Sequence, residues 1–248
     1  MSYDTATIVE HLWRDFSLKP VVAAEIECYI TGGVPDEKFW DALEGFVLRW
    51  EQERGTGQYE AVMPMYRDMA EAVQQMNGLK AVLAQQAESH GLKADFGAKP
   101  FADQPGSGLH IHVHLEDASG HNVFFKKDEE ISAPLKHSIG GLLATMQQYM
   151  PVFAPSAESM ARFAPGGNAP TTISWGANNR TVAVRLPDAG APLRHIEHRV
   201  AGADADPEAV IAAILMGMHY GLQNKCDPGP QVYGDASLPM YNLPKLVS

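Results

Sequence analysis

Cysteine is scarce in this chain. Cys28 and Cys226 are the two present among 248 residues, and no CxxC pair occurs. That argues against a disulfide framework and a thiolate metal centre, and fits a reducing cytoplasm. Positive charge is also short. Nineteen Lys and Arg face thirty Asp and Glu, a formal net charge of −11. A nucleic-acid surface or an anionic membrane is a poor match for that balance, although local arginines can still hold a small anion. No apolar run reaches the length of a membrane span. The start, MSYDTATIVEHLW, lacks a basic segment followed by an apolar one, so no signal peptide is expected. There is no GxxxxGK[ST], no GxGxxG after a strand and no GxSxG elbow, which removes the common phosphate-loop, dinucleotide and hydrolase signatures. GTGQ and PGSG are too short to be phosphate loops by themselves. No repeat, low-complexity block or linker is visible, and 1–248 reads as one domain.

The 45% hydrophobic content is ordinary for a globular protein. Helical spacing is expected over 5–17 and from Asp36 to Trp50, with Phe39, Trp40, Leu43, Phe46 and Val47 on one face. A long helix is expected over 65–90, ending at Gly91. Another covers 132–150 and stops before Pro151, and Asp206-Pro207 opens one through His219. Strands are expected at 20–31, QYEAVM, LKADFGAK, 180–186 and 194–200. LHIHVHLEDASGHNVFFK reads as a hairpin turning at Ala118-Ser119-Gly120. A Pro/Gly/Ser-rich stretch runs from 154 to 178, and the tail after Asp227 carries no regular pattern. Hairpins mixed with separate helices point to an α+β fold.

The informative feature is ionisable residues two apart within strand-like segments. Glu25 and Glu27 sit in VVAAEIECYI. His110, His112 and His114 sit in GSGLHIHVHL. Glu197 and Arg199 sit in HIEHRV. Side chains at i and i+2 of a strand share a face. Buried carboxylates need a compensating positive group, and divalent cations and arginines are the obvious candidates. Glu53 and Glu60 flank a glycine turn and add to the set. Several carboxylates with an imidazole suit Mg²⁺ or Mn²⁺ together with nucleotide phosphates. Zinc is compatible with the histidine spacing alone, and the abundance of glutamate with no cysteine cluster favours magnesium. Arg180 and Arg185 lie five apart, so they face opposite sides of a regular strand unless a bulge turns both inward. Arg162 precedes a Phe-Ala-Pro-Gly-Gly loop. Guanidinium forks suit phosphate and carboxylate.

Together these segments resemble the catalytic domain of the glutamine synthetase family. AEIECYI, ERGTGQYE, AKPFADQPGSGLHIH, ARFAPGG, SWGANNRTVAVRLP, HIEHRVAGADADPEA and GLQNKCDPG come in the family's order between about residues 22 and 235. SWGANNRTVAVRLP and IEHRVAGADA look most like the γ-glutamylpolyamine (γ-glutamylputrescine) synthetase branch. The resemblance implies a curved antiparallel sheet with flanking helices. It implies two divalent cations and ATP as substrate. Glu27, Glu53 and Glu60 would hold one cation beside glutamate. Glu25, His110 and Glu197 would hold the other on the ATP phosphates. Gly106, Arg162 and Arg199 would bind glutamate, Arg180 and Arg185 would act on the phosphates during transfer, and His112 would lie by the nucleotide. The implied reaction joins the γ-carboxylate of glutamate, through γ-glutamyl phosphate, to ammonia or a larger amine. A non-catalytic homologue that keeps the metal, nucleotide or glutamate site, as sensor or subunit, is the alternative.

The departures are also specific. The family's N-terminal β-grasp domain has no counterpart here, so the domain is expected to be a shortened one. The missing part would come from a homo-oligomer neighbour or a separate subunit. The stretch between Glu27 and Glu53 and the tail after Asp235 are short. Asn168 stands where the family has a glutamate after ARFAPGG. His195 replaces an arginine two before Glu197, with Arg194 adjacent. Pro105 replaces an asparagine before GSG.

Overall fold

In the computed structural model, residues 4–127, 131–164 and 169–247 are described. The first helix, α1 (Thr5–Phe16), is capped by Asp4, whose side chain accepts from the amide of Ala6. It leads into β1 (Lys19–Thr31), the longest strand. A short α2 (Glu37–Asp41) precedes β2 (Arg49–Gln52) and β3 (Gln58–Val62). Then come α3 (Met69–Ser89), β4 (Lys93–Asp95), β5 (Leu109–Glu116), α4 (Ala133–Phe153) and α5 (Ala157–Ala161). The chain continues through β6 (Trp175–Ala177), β7 (Val184–Leu186), β8 (Ile196–His198) and α6 (Pro207–Asn224).

The strands form one sheet in the order β2-β3-β1-β5-β8-β7-β6, with β4 also paired to β1. All pairs are antiparallel except β6 with β7. The expected α+β class with flanking helices holds, in a mixed rather than purely antiparallel sheet. One face is apolar. Val22, Ala24 and Ile26 of β1 and Leu109, Ile111, Val113 and Leu115 of β5 join the main core with α1, α3, α4 and α6. The residues between them point to the other face. Helices α4 and α6 touch through glycine: a methyl at Gly141 would strike the backbone of Gly217 and Gly221. No helix among the described residues is long and apolar enough to cross a membrane.

Several expected boundaries move. The helix from Asp36 ends at Asp41, because Gly45 adopts φ +93 and turns the chain into β2. Trp50 therefore lies on an edge strand, 4.8 Å from the Trp40 ring. Helix α3 begins after its cap Asp68, since Tyr66 is bridged to Val22 of β1. Helix α4 runs through Pro151 to Phe153; a proline in the last turn removes one helical bond and is tolerated there. The expected hairpin has a return arm reduced to the bridge of Glu116 with Asn122. Arg180 lies in a turn before β7 and not within a strand. Helix α6 extends past His219 to Asn224. The Pro/Gly/Ser-rich stretch holds α5, closed by a Ser156–Ser159 capping box.

His198 is fully buried on the apolar face of β8, 4.5 Å from the Phe153 ring. Neither ring nitrogen has a hydrogen-bond partner among the described residues, and burial lowers its pKa to about 3. The unfolded chain therefore binds a proton between pH 6.5 and 3 that the folded chain does not, so stability falls as pH drops through that window. We expect His198→Leu to raise stability at pH 7 by about 1–3 kcal/mol and to flatten the acid side of the profile, read by urea unfolding between pH 4 and 7. A loss of stability at both ends would contradict this account.

Candidate functional site

Register assembles the polar face. Glu25 of β1 lies opposite His110 of β5, and Glu27 lies opposite Glu60 of β3. Glu197 of β8 lies opposite both His112 and Arg185. Glu27 is locked to the glycine turn before β5: its amide donates to the Gly108 carbonyl at 3.0 Å, and its Oε2 accepts from the Gly108 amide at 2.6 Å. A side chain at Gly108 would collide with Arg162 and His110.

His110 is the centre. Its Nδ1 lies 3.6 Å from Glu25, 4.0 Å from Glu60 and 3.9 Å from Glu197, and it makes no hydrogen bond among the described residues. Among the described residues, two sets of potential ligand atoms fall within 4.8 Å of one another: Glu25, His110 and Glu197, and Glu27, Glu60 and His110. A buried imidazole nitrogen without a partner, ringed by carboxylates, is the donor chemistry a divalent cation fits. Glu53 follows β2, its amide donating to the Gln58 carbonyl at 2.9 Å. It lines the same cavity as Glu27 and Glu60 but stands outside both tight sets.

Charge is unevenly balanced across this cluster. Burial, then Glu25, Glu27 and Glu53, pushes Glu60 up to about 9. Burial and Glu27 also raise Glu53. At the other end, burial would raise Glu197, but Arg199 with His112 and His110 outweighs it and holds the carboxyl at about 2. Arg185 donates to Glu197 Oε2 at 2.7 Å, and Arg199 donates to Oε1. Burial likewise opposes ionisation of Glu25, yet contact with His110 and His112 carries it below the usual range.

The cluster forms a wall between two cavities. One, of about 180 Å³, is lined by Glu27, Glu53, Glu60, His110, Arg180 and Arg199 together with Thr171, Thr181, Asp235 and Ser237. The other, of about 560 Å³, lies beyond Glu25 and His112 and is mostly apolar, with Leu48, Met65, Phe125 and Leu193 at its rim.

The expected residues divide accordingly. Glu25, Glu27, Glu60, His110 and Glu197 converge, Glu53, Arg180 and Arg199 face the smaller cavity, and His112 faces the larger one. Arg185 is held by Glu197 and by Asn178 Oδ1 at 2.8 Å. Arg162 and Gly106 are not on the cavity wall. Arg162 is buried, and its guanidinium donates to the carbonyls of Val200 at 2.8 Å and Arg199 at 3.3 Å. Burial lowers its pKa to about 10. Its committed donors make it a brace for Arg199. Gly106 lies against it, where a side chain would meet Arg162 Cγ at 2.6 Å. Asn168 and the Pro-Gly-Gly before it lie outside the described residues.

Sequence reasoning missed the far wall. Asp235 and Ser237 belong to the irregular tail, and Thr181 follows Arg180. Gln58 was missed as well: it is buried and ties Gly55 to Gly106, accepting from the first amide and donating to the second carbonyl. No periodicity marks any of these positions.

Residues 38–242 match the profile of the family described as glutamine synthetase, catalytic domain. The chain is 39% identical over 183 residues to gamma-glutamylputrescine synthetase PuuA of Escherichia coli (strain K12), covering 74% of this chain and 39% of that protein. It is 33% identical over 195 residues to glutamate–isopropylamine ligase of Pseudomonas sp, covering 77% and 42%. It is 35% identical over 176 residues to glutamine synthetase of Pyrococcus abyssi (strain GE5 / Orsay), covering 71% and 39%. The chain thus spans about two fifths of the length of these relatives. Among solved structures, a GmaS/ADP complex superposes with a TM-score of 0.84 at 24% identity, over 97% of this chain and 63% of that one, a likeness of fold.

The Glu60 shift gives a pH signature. Its folded pKa of about 9 lies above the unfolded value of 4.5, so the folded chain keeps a proton the unfolded chain has lost. Without divalent cations, thermal stability should fall from pH 7 to pH 9, above the range of histidine titration. Mg²⁺, which competes with that proton, should raise Tm more at pH 9 than at pH 7. A calorimetric series with and without MgCl₂ checks this, and an Mg²⁺ effect independent of pH would contradict it.

Proposed function

Because the chain belongs to the glutamine synthetase catalytic-domain family, we propose that it carries the cation and phosphate machinery of an ATP-dependent glutamate–amine ligase. The observation that carries this reading is the pair of ligand sets joined at His110, with Arg180 and Arg199 on the same cavity. In the reaction, the γ-carboxylate of glutamate attacks the γ-phosphorus of ATP, releasing ADP and giving γ-glutamyl phosphate. The amine nitrogen then attacks the acyl carbon, phosphate leaves, and a proton is lost from nitrogen as the amide forms.

Glu27, Glu53 and Glu60 would hold one Mg²⁺ or Mn²⁺ near glutamate, and Glu25, His110 and Glu197 would hold a second near the phosphates. Such cations neutralise the repulsion between an anionic nucleophile and an anionic phosphate. Arg180, free of the sheet in its turn, reaches the transferring phosphate. Arg185, held by Glu197 and Asn178, would add positive charge to the same phosphate step. Arg199, braced from behind by Arg162, takes a carboxylate of glutamate, and Gly106 lets that brace approach closely. The larger apolar cavity suits the base and ribose of the nucleotide, with His112 at the phosphate end. Relatives named for putrescine and isopropylamine favour an alkyl amine over ammonia as acceptor. The free Cys28 and Cys226 suit a cytoplasmic setting, and assembly with further copies or a second subunit is part of the same reading.

The test is phosphate release by the purified chain with ATP, Mg²⁺ and glutamate, with and without amine. Release stimulated by putrescine or isopropylamine more than by ammonium supports the ligase. Tight nucleotide binding without release under every amine would overturn it in favour of a sensor or subunit. Glu27→Gln should lower the rate by about 100-fold or more. Arg199→Lys keeps a charge for Glu197 but loses the planar fork, so it should raise KM for glutamate by about 10-fold with a smaller effect on kcat.

A further inference from the structure

We infer that Asn179 is a positioning residue for Arg180: it clasps the turn that carries this arginine to the tail across the smaller cavity. The inference rests on the phosphate role given to Arg180 above. Residues 178–183 join β6 to its parallel neighbour β7. A parallel connection ordinarily takes about a dozen residues or more, so this one is too short to pack an element of its own. Arg180 is exposed in that turn and lines the smaller cavity. Its guanidinium makes no hydrogen bond or ion pair among the described residues. The reach of the fork is therefore set by the backbone on either side of it.

Asn179 Nδ2 donates to the carbonyls of Val232 at 3.0 Å and Gly234 at 2.7 Å. Its Oδ1 accepts from the Thr181 amide at 2.9 Å and the Thr181 hydroxyl at 2.7 Å. Carbonyls only accept and a backbone amide only donates, so the orientation of this side chain is fixed. Thr181 Oγ1 in turn accepts from the Ala236 amide at 2.9 Å. The two neighbours of Arg180 are thus bonded to the two neighbours of Asp235, and Arg180 and Asp235 both line the cavity. The approach is close: a side chain at Gly176 would meet the Val232 carbonyl at 2.7 Å and Asn179 Cβ at 3.3 Å. Asn178 secures the start of the turn, adopting φ +45 and accepting from Arg185. Asn179 is not on the cavity wall, so its effect passes through Arg180. Without the clasp, a phosphate contact at Arg180 would also carry the cost of ordering the turn.

The experiment measures the affinity of the full chain for Mg·ATP and for Mg·ADP by calorimetry, without glutamate or amine, so that no turnover is needed. The ratio of the two affinities reports the hold on the γ-phosphate. Asn179→Asp keeps the acceptor for Thr181 and loses both donors. Asn179→Ala loses all four bonds and adds no charge. In each, the preference for ATP over ADP should fall about 10-fold, with ADP affinity within about twofold of the unaltered chain. Arg180→Gln should lower the preference at least as much, and adding Asn179→Ala to it should lower it no further. A further loss in that double variant, or loss of ADP binding in both Asn179 variants, makes Asn179 a general scaffold and overturns the inference. A loss in Asn179→Asp alone reports the added charge and overturns it too. Preference retained in both Asn179 variants but lost in Arg180→Gln overturns the clasp and leaves the phosphate role of Arg180 standing. Preference retained in Arg180→Gln, or absent from the unaltered chain, removes that role and the inference with it. If the unaltered chain binds neither nucleotide, the inference and the proposed function fall together. The expected binding pattern without phosphate release under any amine upholds the clasp and overturns the ligase reading alone.

Discussion

Strand parity on β1 and β5 ties the chemistry of this domain to its core. Val22, Ala24 and Ile26 alternate with Ala23, Glu25 and Glu27, and Leu109, Ile111 and Val113 alternate with His110, His112 and His114. A slip of one residue would send carboxylates into the core and leucines into the cavity, so burial specifies the register strongly. The register that buries the apolar set also puts Glu25 opposite His110 and Glu27 opposite Glu60. Positioning of the polar cluster is thus a consequence of hydrophobic burial on the reverse side of the same strands. Gly108 reinforces it, because its amide and carbonyl both engage Glu27.

A second consequence is electrostatic. Carboxylates drawn into a low-dielectric wall need positive partners. At Glu197 two guanidinium groups supply them, and the carboxyl remains ionised at about 2. At Glu60 the neighbours are further carboxylates, and the group rises to about 9. The cluster therefore has a compensated end and a deficient end, with His110 between them. The deficient end is where an added cation gains most, because there buried carboxylates chiefly face one another. This distribution follows from which strands carry arginine: β7 and the segment after β8 do, and β3 does not.

Much of the cluster was legible in the letters because period two is a direct geometric code. Glu25 with Glu27, and His110 with His112, needed the strand period alone to be placed on a common face. Glu197 carries the same two-apart signal with Arg199, and Glu53 and Glu60 stand out at their glycine turn, but the division of these residues into two cation sets came from the resemblance of ordered motifs. The helix misread over Asp36–Trp50 shows the limit of spacing. Phe39, Leu43 and Trp50 satisfy a helical template, yet Gly45 and the pairing of β2 with β3 decide otherwise. Arg162 illustrates a different limit. A sequence says that a guanidinium is present but not whether backbone carbonyls already occupy it, as those of Arg199 and Val200 do here. Asp235, Ser237 and Gln58 were invisible because their place in the site depends on side-chain to backbone bonds between segments far apart in the chain.

Those bonds divide the site by construction. The acidic wall comes from sheet register, whereas the opposite wall comes from irregular chain fastened by polar side chains. Asn179 donates to the carbonyls of Val232 at 3.0 Å and Gly234 at 2.7 Å, and the Ala236 amide donates to Thr181 Oγ1 at 2.9 Å. The turn that carries Arg180 and the tail that carries Asp235 are therefore one fastened unit. Its composition can change without disturbing the core, since nothing in the alternation of β1 or β5 depends on it. A fold arranged this way can keep its acidic strands while the residues of the opposite wall vary.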